Sequence, residues 1–457
     1  MSSGNKRKIT EIVDFNPSRK IRRDSIAPFI DMASLPIDGR DVNQVLYKEF
    51  SGGGAKFKNG DTLFARITPC LENGKTAKVS SLLSEAVGHG STEFIVMAAK
   101  EPEYDEEFVY YIARLPEFRS YATARMEGTS GRQRVPWQAL AEFEYPFPEK
   151  EDRQHIGRVL KSLDDKIENN RRMNETLEGM AQAIFKSWFV DFDPVRAKVE
   201  VLENGGSIDA ARLAAMQAIS GKSTEDLQTL KTENPDIYAD LASTADAFPS
   251  FFTPSPLGDI PDGWEVKKID ECYNVIMGQS PSGDTYNENK DGTLFYQGRA
   301  EFGWRFPSPR MHTTAPKRMA TAGDILLSVR APVGDMNIAL DDCCIGRGLS
   351  ALKHRNESTT YSYYQINSIK GELDRFNGSG TVFGSINQKD LKNISILEPS
   401  KPLQEQFILK CSDLDRMIEN SSFEILSLTE IRDGLLPKLL SGELQIEGKF
   451  NFLKETV

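Results

Sequence analysis

The sequence predicts a tandem repeat of two α+β blocks, each followed by a long helix, with the two helices pairing as an intramolecular coiled coil. Three observations carry this. The phrase LKSLDDKIENN at 160–170 returns as CSDLDRMIENS at 411–421, 251 residues further on. At that offset Val135 pairs with Ile386, Leu140 with Leu391, Phe143 with Ile394, Asp164 with Asp415, Ile167 with Ile418 and Ile184 with Leu435, with no insertion between, which marks a duplication. Prolines at 148 and 194, and again at 399 and 437, bracket a helix of about 35 to 40 residues in each copy.

The elements follow in order. Residues 1–148 form the first block, where strand-like runs such as STEFIVMAA (91–99) mix with helical ones such as EEFVYYIARL (106–115). Residues 149–195 form the first long helix. Its apolar residues Ile156, Leu160, Leu163, Ile167, Leu177, Ala181, Ile184 and Trp188 step by four and three, and Asn170 and Asn174 fill the two remaining seats. That is a heptad seam, in which a polar seat such as Asn170 costs stability and fixes register. Residues 196–256 read as a short helical insert running into the loop FPSFFTPSPLGDIPDGW. Residues 257–395 form the second block, where GDILLSVRAP (323–332) echoes GDTLFARITP (60–69) and YYQINSIKGEL (363–373) supplies helix. Residues 396–444 form the second long helix, with Phe407, Cys411, Leu414, Ile418, Ile425, Leu428, Leu435 and Leu439 on its seam, and residues 445–457 a tail.

A seam of roughly 50 Å, at ~1.5 Å per residue, is longer than a block of about 15 Å radius of gyration can cover. The two helices therefore satisfy each other. Such a pair would hold two similar blocks at a set separation and, if antiparallel, relate them by a pseudo-twofold axis. That symmetry suits a bipartite polymer target, of which DNA is the commonest.

Composition narrows the chemistry. The net charge of −11 argues against a polyanion binder until its distribution is read. Residues 1–148 carry 20 basic and 20 acidic side chains and residues 257–395 carry 16 and 17, so the acidity sits in the connecting segments. Five cysteines without C-x-x-C spacing and four scattered histidines make a disulfide framework or a zinc site improbable. With no long apolar run and no signal-peptide core, a soluble intracellular protein is expected. LENGKT has Pro69 where a phosphate loop needs its first glycine, while GRGLS (346–350) and GSG (378–380) read as tight turns. DFNP and DFDP lack the second proline and aromatic of an amino-methyltransferase motif, and no nucleophile elbow occurs. These residues describe a binding protein whose chemistry belongs to a partner.

KSLDDKIENNRRMNETLEGMAQAIFKSWFVDFDPVRAK (161–198), LGDIPDGWEVKKI (257–269) and IRDGLLPKLLSGEL (431–444) closely resemble the specificity subunit of type I restriction-modification systems. The resemblance covers the whole chain in order, strongly in the helices and only architecturally in the blocks. It implies two target-recognition domains that each read half of a split double-stranded DNA sequence, and an antiparallel coiled coil. It also implies two methyltransferase subunits docked on that coil and restriction/translocase subunits beyond them. S-adenosylmethionine, ATP and Mg would belong to those partners, with no cofactor held by this chain, no membrane role and a cytoplasmic location. One departure stands out: the first block begins at KRKITEIVDFNPSRK without the tryptophan-containing opening of the second.

The repeat itself filters for base readers. Side chains shared by both halves belong to the scaffold, and those that differ at equivalent positions are candidate readers. The loop EGTSGRQRVPW has Arg132, Gln133 and Arg134 where NGSGTVFGSIN has Phe383, Gly384 and Ser385. Arginine suits guanine and glutamine suits adenine through bidentate hydrogen bonds in the major groove. Arg66, Lys75 and Arg330 follow the Gly-Asp turns, and FYQGRAEFGWRF interleaves Gln297, Arg299 and Arg305 with aromatic residues. A solvated basic turn or a half-buried strand would produce the same patterns. Two other functions remain open on the sequence: a coiled-coil scaffold with two protein-binding domains, and an enzyme with an unrecognised site.

Overall fold

The computed structural model describes residues 6–129, 131–378 and 384–445, in two compact units: residues up to Met173 together with those from Asn420 onward, and Asn174–Glu419. The units do not follow the sequence blocks, because each boundary falls inside a long helix. Those helices run Lys150–Phe189 and Lys401–Leu440, 40 residues each, and start and stop at equivalent positions of the repeat. Pro402 is the second residue of its helix, where the missing N–H has no intrahelical partner to lose. Pro437, expected as a stop, lies within the last turn, and the helix continues to Leu440. The first long helix ends at Phe189; Phe192, in the left-handed region, stands at the N-cap of the next, Asp193–Glu203, with Pro194 in its first turn.

In the first unit, Val13–Phe15, Phe94–Ala99, Thr62–Ala65 and Thr76–Lys78 form a four-stranded antiparallel sheet in that spatial order. The second unit repeats it with Tyr273–Met277, Leu349–His354, Ile325–Ser328 and Met336–Ile338. Each unit adds a second sheet containing one parallel pair, Phe29 opposite His89 and Phe295 opposite Cys344. The bare start of the first block keeps the same edge without its tryptophan: Arg7–Lys8 pairs with Glu144–Tyr145 as Glu265–Lys268 pairs with Ser395–Glu398. The insert is four helices, Asp193–Glu203, Ile208–Ser220, Thr224–Glu233 and Pro235–Ala247. The loop after it contains a hairpin, Phe252–Ser255 with Gly258–Pro261.

Within each unit the long helices run antiparallel. In the first, Asp164 meets Arg432 at 2.7 Å and Asn170 meets Glu424 at 2.8 Å. In the second, Phe185 and Trp188 both pack on Phe407. Leu160, Ile167, Asn170, Leu177 and Ile418 are buried seam residues as expected. Leu163, Ile184, Leu414, Leu428 and Leu435 are only half-buried, and beside the first two Asp164 and Phe185 take the buried places. The seam shifts because in each unit both helices also pack on that unit's sheet domain, which widens the buried face beyond a strict heptad. Trp188, 2 % exposed among Phe248, Phe189 and Phe407, anchors the second unit's largest core. Trp188→Ala should cost about 3–5 kcal/mol of that unit's stability, read as a lower urea midpoint.

Two buried charge sites were not legible beforehand. In the first unit Asp164, 5 % exposed, accepts hydrogen bonds from Tyr111 Oη (2.7 Å) and Arg432 (2.7 Å). Its repeat equivalent Asp415 accepts from Tyr364 Oη (2.9 Å) and Arg305 (2.5 Å). The carboxylate and tyrosine are shared; the arginine comes from a helix in one unit and from a block loop in the other.

Candidate nucleic-acid interface

In each unit a central strand of the four-stranded sheet runs out into a cis-proline turn, Thr68–Pro69 in the first and Ala331–Pro332 in the second. The loop that follows the domain helices returns antiparallel to that strand end. In the first unit Val135 N donates to Arg66 O (3.0 Å), Thr68 N to Gln133 O (3.0 Å) and Gln133 N to Thr68 Oγ1 (3.1 Å). In the second, Ile386 N donates to Val329 O (3.0 Å) and Ala331 N to Gly384 O (2.9 Å). Residues some 65 positions apart in sequence are thereby fixed side by side on backbone hydrogen bonds.

This brings Arg66, Arg132, Gln133 and Arg134 together. Arg132 is exposed, and Gln133 and Arg66 are half-buried, with the Arg66 Nε lacking a hydrogen-bond partner among the described residues. Arg134 is committed: its guanidinium forks onto Glu93 at 2.7–2.9 Å, and the hydrogen bonds and charge of Glu93 raise its pKa. Lys75 joins through its backbone, which accepts from Ala65 N, but its ammonium donates to Met32 O at 2.8 Å.

In the second unit the strand end opens a cleft of about 670 Å³ whose lining includes Arg330, Arg347, Ser385 and Gln388. Gln297 adjoins it: Gly348 N donates to Gln297 O, and a Cβ on Gly346 would stand 2.7 Å from that oxygen, so the close approach requires glycine. Arg299 is half-exposed and paired with Asp335 at 2.9 Å. Arg305 corrects the expectation: only 2 % exposed, it bonds to Asp415, lies 3.5 Å from Glu178 and stacks on Tyr363 at 4.3 Å. Burial opposes its charge and Asp415 restores it, so it serves the core and cannot reach a base. The aromatic and basic alternation around it is no single strand. Thr293–Tyr296 is a strand, Arg299–Glu301 a short 3-10 helix, and Trp304 an exposed loop residue. Phe383 lies outside the described residues, as do Ser130 and residues 379–382.

One cluster has the composition of a metal site. Cys272, His354 and Glu398 place their ligand atoms within 4.8 Å of one another. The hydrogen bonds speak against coordination. His354 Nδ1 accepts from Asn356 N (3.1 Å), which leaves the ring proton on Nε2, aimed at Glu398 Oε1 (3.1 Å), with no lone pair for an ion. Glu398 is also held by Gln404 Nε2 (2.7 Å), and burial with the Glu398 charge pushes the Cys272 thiol up to about 12. The cluster is a satisfied polar plug beside the second long helix.

Among the described residues no helix is long and apolar enough to cross a membrane. A family profile described as "Type I restriction modification DNA specificity domain" matches residues 261–429. The chain is 33 % identical over 424 residues to the "Type I restriction enzyme HindI specificity subunit" of Haemophilus influenzae, covering 87 % of this chain and 89 % of that one. It is 24 % identical over 358 residues to the MjaIX specificity subunit of Methanocaldococcus jannaschii, covering 75 % and 69 %. The crystal structure of the type I restriction-modification S subunit from M. genitalium shares the fold, with a TM-score of 0.52 at 17 % identity, over 96 % of this chain and 97 % of that one.

Proposed function

Because this chain belongs to the specificity subunits of type I restriction enzymes, we propose that its two cis-proline strand ends are the surfaces that read the two halves of a split DNA target. The chain is a DNA-specificity subunit and no enzyme by itself; it binds the target and directs methyltransferase and restriction subunits to it. Membership sets aside the protein-scaffold alternative. The observation that carries the function is the 33 % identity that extends over 87 % of this chain and 89 % of its relative.

The chemistry follows from what the side chains leave free. Reading bases needs exposed donors held on a rigid frame, with phosphate contacts to set register. In residues 1–148, proposed as the first recognition domain, Arg66, Arg132 and Gln133 are the readers, with Lys75 and Arg134 contributing positive potential at the edge. In residues 257–395, the second, Gln297 and Arg330 face the target and Arg299 sets the field beside them. Methyl transfer with S-adenosylmethionine, and ATP- and Mg-dependent cleavage, fall to the partner subunits. Two methyltransferase subunits served by one chain would match its two recognition domains. We place the assembly in the cytoplasm, where its DNA substrate is.

Co-expression with the methyltransferase subunit encoded beside this chain, followed by genome-wide mapping of N6-methyladenine, tests the reading. A split motif that depends on the chain, and changes in one half when residues 257–395 are exchanged for those of a relative, is the expected result. An active methyltransferase that methylates identically with and without the chain would end it.

A further inference from the structure

We infer that Arg347 and Gln388, together with Arg330, are the specificity determinants of the second half-site, and that Arg347 reads a guanine. The inference rests on the DNA-specificity reading above and goes beyond it by assigning residues and a base. Arg347 stands in the turn GRGLS, which on its sequence alone is a tight glycine turn, and Gln388 is the first residue of the helix Gln388–Asn393. Chain folding places both on the cleft that Arg330 and Ser385 also line.

Three features separate these side chains from their neighbours. They are exposed, and among the described residues neither guanidinium nor the Gln388 amide has a hydrogen-bond or ion-pair partner. Asn387 on the same wall is spent capping its helix, donating to Asp390 Oδ2 (2.7 Å) and accepting from Asp390 N (2.9 Å). Among the described residues no carboxylate lines the cleft, so two unneutralised arginines focus positive potential into it. DNA answers such a cleft in two ways: its phosphates meet the positive potential, and the O6/N7 edge of guanine offers the paired acceptors that one guanidinium fork takes.

The frame is also pre-formed. The turn carrying Arg347 is held by Gly346 N to Tyr296 O (2.8 Å), Leu349 N to Gly346 O (3.0 Å) and Arg347 N to Ser280 Oγ (3.2 Å), so little ordering remains to be done on binding. Strand pairing sets the equivalences between the halves, since Ser328 faces Leu349 as Ala65 faces Phe94. Arg347 then corresponds to Thr92, Arg330 to Ile67 and, along the uninterrupted repeat, Gln388 to Trp137. Trp137 stacks on Phe15 and offers no such amide. A duplicated frame with different side chains at the same three places, all exposed in the second half and half-buried in the first except Thr92, is what two unlike half-sites require.

The test uses the full chain with its methyltransferase partner and the variants Arg347→Thr, Arg347→Lys and Gln388→Ala. Thr is the residue of the other half, and an unchanged first half-motif reports that the chain is folded. N6-methyladenine mapping should show the second half-motif degenerate at one position for Arg347→Thr and at another for Gln388→Ala. Where methylation is lost altogether, anisotropy on oligonucleotides carrying each base pair at each second-half position should show one preference flattened by roughly 5- to 150-fold. Arg347→Lys should flatten the same position, because an ammonium cannot make the bidentate contact. A second half-motif untouched by all three variants overturns the inference, as does equal weakening on every oligonucleotide, which is the mark of a phosphate contact. Absence of chain-dependent methylation with the unaltered protein would instead defeat the specificity reading itself.

Discussion

Arg305→Ala is expected to destabilise the Asn174–Glu419 unit by about 3–5 kcal/mol, the range for removing one partner of a buried ion pair. The guanidinium is 2 % exposed and neutralises two carboxylates from different long helices, Asp415 at 2.5 Å and Glu178 at 3.5 Å. Its loss strands both in a site shaped for a cation, and the stacking on Tyr363 goes with it. Hydrogen exchange should show lost protection around Tyr363–Tyr364 and Cys411–Asp415, with the first unit's Asp164 site unaffected. The pH dependence has a definite sign. Burial already holds the Glu178 carboxyl above its usual range against the lowering effect of Arg305, and removing the arginine raises it further. A carboxyl whose folded pKa exceeds its unfolded pKa binds more protons when folded, so stability falls as pH rises through that interval. The deficit of the variant should therefore shrink as pH is lowered from 7 towards the ordinary carboxylate range. A variant with unchanged protection and no such pH trend would show that the pair contributes nothing.

The triple variant Arg66→Ala, Arg132→Ala, Gln133→Ala should keep its fold and lose the first half-site. None of the three side chains has a hydrogen-bond or ion-pair partner among the described residues, so little stability is at stake. Each bidentate base contact is worth about 1–3 kcal/mol, and neighbouring losses do not simply add, so a fall on the order of 100-fold in affinity is expected for DNA carrying the mapped motif. Anisotropy titrations at several salt concentrations separate the contributions: each lost phosphate contact lowers the log–log salt slope by about 0.9. Arg134→Ala should do less to recognition, because Glu93 already occupies its fork. Normal affinity and an intact first half-motif in the triple variant would remove this strand end from the interface.

These results divide what was legible in the residues from what was not. The duplication, the 40-residue helices, the seam around Leu160, Ile167, Leu177 and Ile418, and the family all follow from local pattern. Helical periodicity is a property of neighbours three and four positions apart, and a repeat without insertions preserves it whatever the rest of the chain does. The return of the loop at 132–135 onto the strand end at 66–68 was not legible, because a backbone pairing across some 65 residues leaves no local trace.

By itself the sequence determined the class of molecule, the order of its parts and a short list of basic and amide side chains as candidate readers. Only the tertiary structure decided which of those side chains are committed to partners within the protein and which are left exposed. Arg305 and Arg330 stand 25 positions apart, yet one finds a carboxylate 110 residues away and is buried while the other, exposed, meets none among the described residues. A buried charge persists only where a partner is within reach, and the distance to that partner is set by folding, not by the neighbouring residues.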